Sequence, residues 1–93
     1  MNTVADFRRM IRPGVKVTVV SAPFWPAIEG VTREVVRVQT GRFSLRTVKA
    51  NGDVVESWCD FPRAAQTTFD GDTVTFPRFP DAPEMGEFVY QVS

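Results

Sequence analysis

The sequence predicts an all-β domain of about five to seven antiparallel strands with a short N-terminal helix. Three observations carry that expectation. Fifteen Val and eight Phe stand against one Leu and two Ile, and β-branched and aromatic side chains suit a pleated surface better than a helix. Apolar and polar residues alternate along several short runs. Between the runs lie Thr40-Gly41, Asn51-Gly52 and Asp70-Gly71-Asp72, the kind of residues that reverse a chain tightly. The 93 residues suffice for one domain, read as a helical segment over 1–12 and a β-barrel over 14–93. An apolar fraction of 43% excludes a disordered chain.

The elements follow in order. Val4, Phe7, Met10 and Ile11 have helical spacing, Asn2 or Thr3 can cap the N-terminus, and Arg12-Pro13-Gly14 ends the helix, which is expected across an open end of the barrel. Val15, Val17 and Val19 alternate with Lys16 and Thr18 as a first strand. Two prolines in Ala22-Pro23-Phe24-Trp25-Pro26 force a loop. Gly30 restarts the chain into a strand over 31–39, and a two-residue turn at Thr40-Gly41 leads into a strand over 42–50. A type I′ turn at Asn51-Gly52 then returns the chain over 53–60. Residues 67–69 and 73–76 form a further hairpin. Pro77, Pro80 and Pro83 punctuate an extended loop, and the run over 86–92 is the closing strand.

Register is testable on paper. The turn at Thr40-Gly41 pairs Val38 with Phe43 and Val36 with Leu45, and a two-residue turn at Asn51-Gly52 pairs Leu45 with Trp58 and Val48 with Val55. This puts Val36, Val38, Phe43, Leu45 and Trp58 on one buried face. Arg37, Arg42 and Arg46 then share the other face, joined by Arg33 and Lys49.

Residues 12–31 resemble the opening of a KOW-type SH3-like small β-barrel. Gly14 precedes the strand of Val15, Val17 and Val19, a Pro23-Phe24 loop follows, and Gly30-Val31 opens the next strand. Ala22, where that family often has Gly, and Trp25-Pro26 depart from it. The resemblance implies an SH3-like barrel, and such barrels commonly bind nucleic acid, ribosomal components or peptides.

The absence of histidine removes Ser-His-Asp and Cys-His nucleophiles and the usual zinc sites. No enzyme, cofactor or metal is expected. Cys59 has no partner for an internal disulfide, and with Asp60 rather than a cation beside it the thiol reads as structural, on the face of Ser44. Asp70, Asp72, Asp81, Glu84 and Glu87 lack the ligand spacing of a calcium hand and read as turn residues. Net charge is zero, yet residues 1–50 hold nine Arg/Lys against three Asp/Glu and residues 51–93 hold two against eight.

Two surfaces remain. Phe24 and Trp25 are adjacent large aromatics in a proline-bounded loop, and with Phe79 they are the expected protein-binding residues. The alternative packs one beneath the loop and sets the other against Ile11. Arg33, Arg37, Arg42, Arg46 and Lys49 are the candidate nucleic-acid-binding set, weakened by the lack of an aromatic on their face for base stacking. The expectation is a non-enzymatic protein-interaction module, a phage or bacterial accessory protein, with a homodimer through an edge strand as one form. The alternative is a nucleic-acid-binding small barrel. No run approaches the roughly 18 apolar residues of a membrane span, and the first ten residues do not read as a signal peptide. A cytoplasmic protein is expected, with no membrane partner.

Overall fold

Phe7 explains how so short a helix holds. Helix α1 (Val4–Met10) has seven residues, too few to persist alone in water. Thr3 caps it, its Oγ1 accepting the Asp6 N–H at 3.1 Å, while the Asp6 carboxylate accepts the Asn2 N–H at 2.9 Å. Phe7 and Ile11 are fully buried. The Phe7 ring lies edge-on to Phe43 and Phe61 at 6.0 and 5.9 Å. Arg8 donates to the Thr40 carbonyl and lies 4.5 Å above the Phe61 ring. The helix is therefore fixed over the turn between two strands, as a lid on one end of the sheet. The structure, a computed structural model, describes every residue except Arg78 and Pro80, with Pro83 described by its backbone alone.

Seven antiparallel strands follow: β1 (Lys16–Ser21), β2 (Thr32–Val38), β3 (Arg42–Val48), β4 (Val54–Asp60), β5 (Thr68–Asp70), β6 (Thr73–Pro77) and β7 (Glu87–Val92). They form one sheet in the order β4-β3-β2-β1-β7-β6-β5. The last strand lies against the first, with Val17 opposite Val92 and Val19 opposite Tyr90. Curling of the sheet gathers Val17, Val19, Val35, Phe43, Leu45, Val74, Phe88, Tyr90 and Val92 into the core. The expected barrel does not close. β4 and β5 are the two ends of the sheet and do not pair with each other. β5 has three residues, and the segment leaving β4 passes through Pro62, which has no N–H to offer a ladder.

The Thr40-Gly41 turn pairs Val38 with Phe43 as expected, but Leu45 then meets Val35 rather than Val36, with a register shift in between. A β-bulge at Val36 and Arg37 accounts for it, two residues facing Ser44. Ser44 fits there: its side chain is buried and its Oγ accepts the Arg37 N–H at 3.0 Å. So Val35 is core, whereas Val36 and Val38 are exposed.

The second hairpin also departs from its expected register. Val48 pairs with Val54, Leu45 with Ser57 and Ser44 with Trp58. The Lys49 N–H bonds to the Asp53 carbonyl and the Gly52 N–H returns to the Lys49 carbonyl. The loop is therefore three residues, Ala50-Asn51-Gly52, with Gly52 alone at positive φ, +90°. This is a type I turn closed by a glycine bulge, not the type I′ turn, which would need Asn51 at positive φ as well. One added loop residue shifts the pairing by one and reverses the faces of β4. Trp58 moves from the expected core to the outer surface, and Cys59 moves inward, opposite Phe43.

Candidate functional site: an aromatic loop surface, a basic sheet face and an open seam

The loop after β1 is built so that its aromatics face out. Ala22 is fully buried, its N–H bonded to Glu29 Oε1 at 3.0 Å, and the Trp25 N–H turns back to the Ala22 carbonyl at 2.9 Å. A 3-10 turn over Pro26–Ile28 drops Ile28 into the core. With Ile28 filling the space beneath, Phe24 and Trp25 remain 50% and 53% exposed. Neither is buried under the loop. Phe79, 40% exposed, meets Phe24 edge-to-face at 5.3 Å. Behind the rings Gly86, at φ +112°, lies near Pro23, so that a β-carbon added there would come 3.4 Å from the Pro23 ring. The three aromatics expected to bind protein thus lie on one loop surface. Of the strap expected over 76–80, Arg78 and Pro80 lie outside the described residues.

The basic set divides. Arg37, Arg42 and Arg46 lie on the outer face of β2 and β3. Arg33 does not join them: it pairs with the buried Val17 and so points to the inner face. Lys49 stands at the hairpin tip, one residue out of phase with Arg42 and Arg46. Acidic residues of the chain's second half interleave with the outer three. Arg37 Nε lies 3.1 Å from Glu56 Oε1, Arg46 is opposite Glu56, and Arg42 is opposite Asp60. The outer face nevertheless carries the aromatic that sequence reasoning withheld from it. Arg42 stacks on the Trp58 ring at 4.2 Å, and Trp58 is 38% exposed.

The unclosed sheet leaves a seam between β4 and the strands β6 and β7. Cys59 Sγ and Tyr90 Oη approach to 4.0 Å across it. On one side is a cleft of about 540 Å³ between the segment 58–66 and Phe76, Pro77 and Tyr90. On the other is a cleft of about 190 Å³ bordered by Trp25, Arg33, Thr47, Ser57, Phe88 and Tyr90. At the β4 edge, the hydrogen bonds at 41/61 and 49/53 set the alternation, which aims the backbone N–H and C=O groups of Val54, Glu56, Trp58 and Asp60 away from β3. They form an open ladder.

Asp70 and Asp72 belong to the β5–β6 turn. Asp70 pairs with Thr73, and Asp72 accepts from Gln91 Nε2 at 3.1 Å.

Sequence reasoning missed the outward Trp58 and the inward Arg33. The signal for Trp58 was the glycine closing Ala50-Asn51-Gly52, which suits a three-residue loop as well as a two-residue one. For Arg33 it was its spacing of two from Val35, which sets both on one face of the strand.

Fold and surface together define a small all-β domain, an open seven-stranded antiparallel sheet capped by a helix. Comparison with protein-family models, with curated proteins and with solved structures finds no match. Among the described residues no helix is long and apolar enough to cross a membrane.

Proposed function

We propose that the chain is a non-enzymatic protein-interaction module, a cytoplasmic accessory protein of a phage or bacterium, that docks its partner through Phe24, Trp25 and Phe79. One observation carries the reading: three large aromatics from two loops share one exposed surface, with Phe24 and Phe79 in edge contact. Adjacent rigid aromatics of this kind are the usual anchors of protein interfaces. The lack of histidine and the position of Cys59 beside Tyr90, with no cation next to it in the chain, support a role without catalysis. Self-association would use the β4 edge, whose outward amides suit strand addition.

The test is quantitative binding of the partner recovered with the intact chain, compared with the variants Trp25→Ala and Phe24→Ala. A hot-spot loss of about 2 kcal/mol, roughly thirtyfold in Kd, is expected for at least one. Unchanged affinity in both folded variants refutes this surface.

A second reading, nucleic-acid binding, is favoured by Trp58 on the face of Arg37, Arg42 and Arg46. Base stacking on Trp58 with phosphates at the arginines would quench its fluorescence and weaken steeply with salt. Titration with single-stranded and duplex oligonucleotides at low salt tests it, and no quenching with either sinks it. The interleaved Glu56 and Asp60 work against this reading, so it stands second.

A further inference from the structure

Among the described residues, Arg33 is the cation of the sheet strands that the fold turns inward. Its strand pairs it with Val17, which is fully buried, so the alternation of β2 directs its side chain to the concave side of the sheet with Val35. Its Nε is buried and has no hydrogen-bond partner among the described residues. A buried N–H without an acceptor costs about 1–3 kcal/mol, and more when it belongs to a charged group. The arginine also borders the cleft of about 190 Å³ beneath Trp25. Among the described residues that line this cleft Arg33 alone is charged, and the walls are largely apolar or aromatic, including Ile28, Phe88 and Tyr90. Thr47 Oγ1 and Ser57 Oγ share one hydrogen bond of 2.9 Å on the same wall. Whichever hydroxyl accepts in that pair keeps its own O–H to donate.

From this we infer that the cleft is a carboxylate-recognition site, in which the Arg33 guanidinium takes a carboxylate carried on an apolar group about the size of one aromatic ring. The charge argument selects a monoanion. One guanidinium balances one carboxylate through its fork of N–H groups, whereas a phosphate dianion would leave uncompensated charge against apolar walls. The size argument selects the apolar part, since a cavity of about 150 Å³ is enough to take benzene. Trp25 at the rim joins this cleft to the loop surface of the proposed function. The inference thus deepens that reading by giving the ligand a chemistry, and it is tested without the partner.

Two sources can present that chemistry: a free aromatic acid, or the C-terminal aromatic residue of a protein partner. The experiment is NMR titration of the intact ¹⁵N-labelled chain, following the Arg33 Nε–Hε and Trp25 indole signals. The probes are phenylacetate, phenylacetamide, and the peptide acetyl-Gly-Gly-Phe as free acid and as amide, all at neutral pH. Both carboxylates are expected to shift the Arg33 signal and both amides to leave it in place. Arg33→Gln is expected to weaken carboxylate binding at least about tenfold, the loss of a charge-assisted hydrogen bond. Arg33→Lys, which keeps the charge without the fork, falls between them.

A free-acid peptide binding more than about tenfold tighter than phenylacetate assigns the site to a partner's C-terminus, and equal or weaker peptide binding assigns it to a free acid. Equal response to acid and amide, no response to any probe, or full binding by a folded Arg33→Gln variant overturns the inference. The acid–amide contrast needs no variant, so misfolding of Arg33→Gln leaves the test decisive. Failure here leaves the Phe24–Trp25 surface to be judged by its own variants.

Discussion

Replacing Phe7 by alanine tests whether the N-terminal helix belongs to the cooperative fold. Phe7 is fully buried and meets both Phe43 and Phe61 edge-on. Truncating such a ring in a packed core costs about 3–5 kcal/mol, the transfer of the removed atoms plus the cavity they leave. The whole stability of a domain is about 5–15 kcal/mol, so the loss is a large share of it. At about 4–8 °C per kcal/mol for a chain of this size, the melting temperature should fall by roughly 12 °C or more. A helix of seven residues has no stability of its own to fall back on. Calorimetry with near-ultraviolet circular dichroism should therefore show one transition, shifted downward, with helix and sheet lost together. Phe7→Leu, which keeps most of the volume, should lose clearly less. A fall of under about 4 °C for Phe7→Ala, equivalent to less than about 1 kcal/mol, would show that the helix is loosely attached and refute the packing argument.

Four further outcomes are expected. Thr3→Ala removes the acceptor of the Asp6 N–H and should cost about 1 kcal/mol in urea unfolding. The Asn2 N–H on its carboxylate, assisted by Arg9, holds the Asp6 pKa below its usual 3.8. A lowered folded pKa stabilises above the unfolded value, and that stability is lost as pH falls through the folded one. The melting-temperature gap between the native chain and Asp6→Asn should therefore be present at neutral pH and close in acid well below 3.8. Gly52→Ala forces a β-carbon onto a residue at φ +90° and should cost about 1–2 kcal/mol. Deleting Ala50 should be milder, because the remaining Asn51-Gly52 turn keeps Lys49 opposite Asp53 and leaves Trp58 outside. Acrylamide quenching of Trp58 in a Trp25→Phe background reads the last point, and a shielded Trp58 would contradict it.

Local chemistry made much of the fold legible. Proline and glycine positions end the elements, period-2 alternation marks the strands, and Thr3 caps the helix, all within a few residues of chain. The candidate surface at Phe24, Trp25 and Phe79 was legible for the same reason, since two prolines and paired aromatics state a loop that cannot hide both rings. That Phe24 and Phe79 touch was not legible, because 55 positions separate them in the chain and only the tertiary fold brings the two rings together.

Register is where sequence and structure part. Asn51-Gly52 serves a two-residue or a three-residue loop, and the choice moves every side chain of β4 to the opposite face. The bulge at Val36 and Arg37 does the same to the part of β2 that precedes it, exchanging Val36 for Val35 in the core while Val38 keeps its place opposite Phe43. Neither choice is settled by local preference, since Trp58 and Val36 suit a core as well as a rim. The pairing across the sheet settles them, setting Cys59 opposite the buried Phe43 and Val35 opposite Leu45. The sequence by itself therefore determined the strands, the helix, the turns and the aromatic loop. The tertiary structure decided that the sheet stays open, that Trp58 stands among the outer arginines, and that Arg33 turns inward, because each depends on the sum of contacts across the sheet.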